Sequence, residues 1–429
     1  MNEKKNLVPK LRFPEFQSAG AWTTEQLGAV ATISTQKVGN NVCVPMSITS
    51  GVGLVSQEEK FGRVIAGDSY KNYLLLKPNE FAYNKSATKE YPEGFLALYS
   101  GAALAAVPNS IFTCFRINGE SPDVRFLNYQ FSDNLHGRWL RKFIQVGARA
   151  HGSLSINDSD LMALPVPVPS GATSVAEQQK IADCLSSLDE LIAAQARKVD
   201  TLKTHKKGLM QQLFPREGET QPRLRFPEFQ GATAWTMEKL ENLAKRGSGH
   251  TPSKSVPEYY GGGVKWVSLA DSKRLDAGLI SETENNISAL GIKNSSAVLH
   301  PAGTVLISRD AGVGKSAVMA VPMAVSQHFI VWVCDNQKLC NWFLYYLLQF
   351  MKPIFERIAT GSTIKTIGLP FFKELSTAVP SVSEQQRIAD CLTSLDTLIT
   401  TATQELETLK THKKGLMQQL FPSAEALEA

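Results

Sequence analysis

The sequence predicts an α+β protein. Two mixed bodies of short strands and a few helices are joined by two long helices, which pair as an antiparallel coiled coil about a pseudo-two-fold axis. Three observations predict this. Residues 177–215 and 384–422 are identical at 28 of 39 positions without a gap. Each copy carries one apolar seam at heptad spacing. Finally, Leu11-Arg12-Phe13-Pro14-Glu15-Phe16 recurs unchanged as Leu224-Arg225-Phe226-Pro227-Glu228-Phe229, and Trp22-Thr23 with Leu27 recurs as Trp235-Thr236 with Leu240. A period this long marks duplicated domains rather than a solenoid.

The seams define the long helices. In the first copy Ile181, Leu188, Leu202 and Leu209 form one series and Leu185, Ile192, Val199 and Leu213 the other, interrupted at Gln195 and Lys206. In the second, Ile388, Leu395, Ala402, Leu409 and Leu416 interleave with Leu392, Ile399, Leu406 and Leu420, and Lys413 breaks the pattern. A helix from Ile181 to Leu213 is about 50 Å long at 1.5 Å per residue, more than one turn of DNA at about 34 Å. If the two seams meet, the second helix returns along the first, and the bodies are expected at opposite ends of a rigid spacer. The predicted segments are therefore residues 1–170, 171–216, 217–380 and 381–424.

Within the bodies, short apolar runs predict strands at Phe81–Lys85 and Thr304–Ser308, at Ser110–Arg116 and His328–Val333, and at Ala163–Pro169 and Leu375–Pro380. Helices are predicted at about Asn128–Gln145 and Asn341–Ile358. Of the 11 differences between the long helices, eight are consecutive (193–200 against 400–407), whereas Thr201–Pro215 equals Thr408–Pro422. A seam needs only apolar character, so identical surface residues ask for another cause. Lys203, His205, Lys206, Lys207, Gln211 and Gln212, with Lys410, His412, Lys413, Lys414, Gln418 and Gln419, read as a surface shown twice to two copies of one partner. A recent duplication accounts for the same identity without a partner.

Composition narrows the function. With 43% hydrophobic and 20% charged residues, the 429-residue chain is an ordinary globular one, long enough for two or three domains. The first residues lack an apolar secretory core and no run suits a membrane span, so a cytoplasmic protein with no membrane association is expected. The six cysteines show no metal spacing and are read as reduced and structural. Ala311-Gly312-Val313-Gly314-Lys315-Ser316 falls short of a nucleotide-binding loop: Arg309 occupies the place of its first glycine, and no amphipathic helix follows. A glycine-rich basic turn between two strands is expected instead. No nucleophile set, metal cluster or dinucleotide fingerprint occurs, so neither an enzyme nor a cofactor-binding chain is expected.

A net charge of +5 is weak by itself, but the basic residues cluster. Arg125, Arg138, Arg141, Lys142 and Arg149 interleave with Trp139 and Phe143. Loops that pair Arg or Lys with Ser, Thr or Asn suit phosphate clamps and base-edge contacts. The DNA-contact candidates are Asn84, Lys85, Ser86 and Lys89; Arg149, His151 and Ser153; Thr251, Ser253 and Lys254; Arg309, Lys315 and Ser316; and Ser362, Thr363 and Lys365.

The chain resembles the specificity subunit of a Type I DNA restriction-modification enzyme. The resemblance is carried by Glu177-Gln178-Gln179-Lys180-Ile181-Ala182 and Glu384-Gln385-Gln386-Arg387-Ile388-Ala389, by Lys206–Phe214 and its repeat, by Phe81–Ser86, and by Gly249–Ser253 with Pro257–Gly262. It implies two target recognition domains that each read half of a bipartite DNA site, with conserved helices that set the spacer. It further implies docking of two methyltransferase subunits, which bind S-adenosylmethionine and methylate adenine at N6. It implies as well two restriction subunits that use ATP with Mg, and a specificity subunit that is itself non-catalytic. A coiled-coil scaffold that binds proteins and does not contact DNA is the alternative.

Overall fold

The computed structural model describes residues 7–49, 52–89, 91–144, 152–361 and 365–422. It forms two compact units, Met1–Gln195 with Glu405–Ala429, and Ala196–Gln404. Each long helix is thus divided between the units, because its two ends pack into different cores.

In the first unit an antiparallel sheet has the order Ala31–Ser34, Phe112–Ile117, Phe81–Asn84, Phe95–Leu98. Phe81–Asn84 is buried on both faces. Phe81 and Tyr83 pack with Phe126 and Phe131 on a body helix, Val124–Ser132. Ala82 points to the other side, among Met46, Leu76 and Val107 of a second small sheet. Two-sided cover is why these strands read as unbroken apolar runs.

The second unit repeats this frame as Ala244–Ser248, Phe329–Cys334, Val305–Ser308, Ser316–Met319, with Leu279–Ile280 added in parallel at the edge. Val305 and Ile307 face the helix Asn341–Phe350, while Leu306 faces the opposite core. The turn from Arg309 to Lys315 joins two antiparallel strands, as expected of a glycine-rich turn. Gly312 and Gly314 there have φ of +105° and +84°, conformations that favour glycine.

Helix boundaries differ from the sequence reading. The first body helix starts at Val124, because the Asp123 side chain accepts from the backbone N–H of Arg125 and Phe126. It breaks near Asn134, whose φ is +63°. The long helices run Ser174–Leu213 and Val382–Leu420, beginning earlier than their seams, because their first turns pack against the bodies.

That packing explains the repeated tags. Glu177 is 1% exposed. It accepts two hydrogen bonds from the Arg12 guanidinium, at 2.8 and 2.7 Å, and one from Trp22 Nε1 at 3.2 Å. Glu384, equally buried, takes the same three from Arg225 and Trp235, at 2.9, 2.6 and 3.3 Å. The following glutamines cap the body helices: Gln178 Oε1 accepts from Asp123 N and Gln385 Oε1 from Cys340 N, each at 2.8 Å.

Each unit also takes in the far end of the other long helix. In the first, Phe421 packs on Trp22 and Phe126, and Leu11 N–H donates to Gln419 O. In the second, Phe214 packs on Phe343 and Phe350, and Leu224 N–H donates to Gln212 O. The residues that interrupt the seams are paired. Lys413 Nζ lies 2.6 Å from Asp189 and over the Tyr129 ring, and Tyr129 Oη donates to the same Asp189. Lys206, Asp396 and Tyr346 repeat the arrangement, and Gln195 donates to Glu405. Burial pushes the Tyr129 phenol up to about 12, with Asp189 adding to the shift.

Three outcomes follow from this packing. Arg225→Ala leaves Glu384 buried without its ion pair, a loss of about 3–5 kcal/mol in urea unfolding, and Arg12→Ala does the same beside Glu177. Lys413→Ala and Lys206→Ala lower unfolding midpoints measurably, whereas Lys207→Ala and Lys414→Ala, at exposed positions, leave them unchanged. The third concerns His136, fully buried between Tyr83 and Phe131 and with Nδ1 unpartnered among the described residues. Burial pushes its imidazole down from 6.5 to about 4. The unfolded chain therefore takes up the proton first, so His136 weakens the fold as pH falls from about 6.5 towards 4. The loss is of order 3 kcal/mol by linkage. His136→Gln should flatten that acid limb in pH-dependent unfolding.

Candidate nucleic-acid interface

Both bodies expose loops at the same end of the repeated sheet, and the nominated residues divide between surface and interior. In the first unit Lys89 is exposed and Ser86 half-buried. The strand Ser86–Ala87 pairs with Gly152–Ser153, which brings two nominated loops together. Lys85 is tied to Asp158 at 3.0 Å. Asn84 corrects an expectation: it is buried, and its Oδ1 accepts from Ser86 N at 2.8 Å, so it shapes the turn and offers no free surface. Arg149 and His151, with Ser362 and Thr363 of the second unit, lie outside the described residues.

In the second unit Ser253, Lys254 and Lys365 are exposed. Arg309 Nε donates to Ile367 O at 3.0 Å, and Lys315 Nζ to Ser272 O at 3.0 Å and to Asp276 at 2.9 Å. Both cations are therefore partly engaged by their own unit. Ser316 is a second correction. It is 1% exposed and accepts from Gln349 at 2.7 Å, because it opens a central strand rather than closing the exposed turn. Lys315 and Lys365 line a cavity of about 450 Å³ with Gly312 and Lys352.

A larger cavity, about 520 Å³, opens beside Thr251 and Lys254 and was not foreseen in full. Tyr260 and Trp266 supply much of its apolar wall, and Asn285, Ser326, Gln327 and His328 are among its other polar groups. Thr251 Oγ1 donates to Gln327, and His328 Nδ1 lies 2.8 Å from Asp310. Gln327 and His328 escaped the sequence reading because they sit at the head of a strand-like run. Their only signal is that Ser110 and Ile111 occupy the matching place in the first body.

The nominated docking surface is also divided. Lys203, His205, Lys207, Gln211 and Gln212 are exposed, as are Lys410, His412, Lys414, Gln418 and Gln419. Lys206 and Lys413 are the correction: they turn inward, with side chains 18% and 19% exposed, because each pairs with an aspartate of the other long helix. Among the described residues, no group of three or more His, Cys, Asp or Glu could hold a metal ion, and no helix is long and apolar enough to cross a membrane.

Comparison with known proteins agrees with this architecture. Residues 233–411 match the family described as Type I restriction modification DNA specificity domain. The chain is 30% identical over 178 residues to the Type I restriction enzyme MjaIX specificity subunit of Methanocaldococcus jannaschii, a stretch covering 41% of each. It is 24% identical over 334 residues to the putative type I restriction enzyme MjaX specificity subunit of that organism, covering 76% of this chain and 74% of the relative. Among solved structures, the Type-I restriction-modification S subunit from M. genitalium superposes with a TM-score of 0.58 at 15% identity, covering 97% of this chain and 99% of that one. A chain from a structure of type I R-M complex assembly gives 0.57 at 16% identity, with 93% and 96% covered. In sequence the chain is thus similar to Type I restriction enzyme specificity subunits, with a DNA specificity domain matched at residues 233–411, and it shares their fold.

Proposed function

We propose that this chain is the sequence-specific DNA-binding subunit of a Type I restriction-modification complex. Each body reads half of a bipartite site. The long helices pack as an antiparallel coiled coil, related by a pseudo-two-fold axis, that sets the spacer. The exposed lysines, histidines and glutamines at their matching ends dock two methyltransferase subunits. The chain is non-catalytic and binds no cofactor itself. S-adenosylmethionine belongs to the methyltransferase partners, and ATP with Mg to two restriction subunits.

One observation carries this reading: two mounts that agree bond for bond, at Glu177 and Glu384, hold bodies whose exposed turns differ. Constant mounts with variable ends suit a reader of two different half-sites. A scaffold for one protein partner has no use for the difference.

The test is selection from randomised duplexes by the chain together with its methyltransferase partner. Two short motifs at fixed separation are expected, and affinity should fall steeply between about 50 and 200 mM salt as condensed counterions cease to drive binding. A single contiguous motif, or none, overturns the proposal.

A further inference from the structure

The two bodies share a backbone frame at the end of the sheet that carries the nominated loops. Lys85 N–H donates to Ile111 O at 2.8 Å, and Arg309 N–H to His328 O at 2.9 Å. Leu154 N–H donates to Lys85 O and Ile367 N–H to Arg309 O. Phe112 faces Asn84 across the sheet just as Phe329 faces Ser308. The frame therefore places Ser110 and Gln327 in one position, and Ile111 and His328 in the next. The side chains there differ, a hydroxyl against an amide and an alkyl group against an imidazole, although the backbone bonds around them agree.

In the second body both side chains are held. Gln327 is exposed, and its Oε1 accepts from Thr251 Oγ1. That bond leaves the amide NH₂ turned towards His328, 3.5 Å from Nε2. His328 Nδ1 pairs with the Asp310 carboxylate at 2.8 Å, its Nε2 is the ring nitrogen beside the Gln327 amide, and the residue lines the cavity. Ser326, behind them, has a buried Oγ with no hydrogen-bond partner among the described residues. An amide and an imidazole fixed side by side at the lip of an open cleft satisfy what direct readout requires: donors and acceptors presented in a set geometry.

We infer that Gln327 and His328 are specificity-determining residues that read adjacent base edges in the half-site contacted by the second body. Thr251 and Asp310 act as positioning residues. The assignment rests on the proposed function and adds to it which side chains choose the bases. In the first body the same positions carry the exposed Ser110 and a partly buried Ile111 that packs on the core, so the two bodies present different groups there.

The experiment compares Gln327→Ala and His328→Gln with the unmodified chain, each with its methyltransferase partner, on randomised duplexes. Gln327 is exposed, and glutamine at 328 keeps a donor for Asp310, so thermal unfolding should match the unmodified chain. Discrimination at one or two adjacent base pairs of one half-site should change about tenfold or more, with the other half-site and the separation retained. Unchanged motifs in both variants, or weakening spread evenly over all sequences, overturns the inference. If the unmodified chain selects no motif, the proposed function fails and this assignment with it, an outcome distinct from a failure confined to the variants.

Discussion

The structure depends on a carboxylate held where water cannot reach it. Glu177 and Glu384 are each 1% exposed, and a buried charge is tolerated only where donors surround it. A paired guanidinium edge and an indole N–H meet that demand. Arg12 also donates to the carbonyls of Ala19 and Gly20, and Arg225 to those of Ala232 and Thr233. The ion pair thereby folds the tag around itself, fixes the first turn of a long helix, and seats the tryptophan on which a unit's aromatic core is built. Trp22 then receives Phe421, and Trp235 packs on Phe343 beside Phe214. Helix start, tag and the far helix end are one construction.

This construction accounts for where the sequence repeats and where it diverges. Lysine in place of Arg12 or Arg225 loses one of two parallel bonds, and phenylalanine in place of the tryptophan loses a donor to the buried oxygen. Such positions admit almost no change. At the sheet ends, side chains such as Ser110 and Gln327 face outward while the backbone alone keeps the frame. Divergence there costs little stability, so chemistry at these turns is free to vary with function.

Much of the fold was legible because its signals are periodic or duplicated. The heptad seams gave the long helices, and the apolar runs at Phe81 and Thr304 gave the central strands. The candidate site was legible as loops but not residue by residue. Asn84 and Ser316 have the right chemistry for DNA and sit within the right segments, yet one bond to Ser86 N and one to Gln349 draw them inward. Side-chain direction at a strand end depends on register, which local composition does not carry. Gln327 and His328 failed in the opposite sense, since their role rests on Thr251 and Asp310, distant in sequence. The division of each long helix between two cores was equally hidden, because no local pattern says which core receives a helix end.

The seam lysines show how a polar interruption acts within an apolar stripe. Lys206 and Lys413 each occupy a position where leucine would pack, and each sits over a tyrosine ring while bonded to an aspartate of the other long helix. The tyrosine hydroxyl donates to the same aspartate, so three groups share one satisfied cluster in each unit. A shift of one helical turn would leave an ammonium among apolar side chains and an aspartate without its cation. Apolar seams tolerate such slips, but a paired charge does not. The lysines that first read as docking residues are therefore better understood as register markers. Their identity in the two copies reflects the same constraint met twice, which leaves the exposed Lys203, His205, Lys207 and glutamine positions, with their repeats, as the part of the identity that packing does not explain.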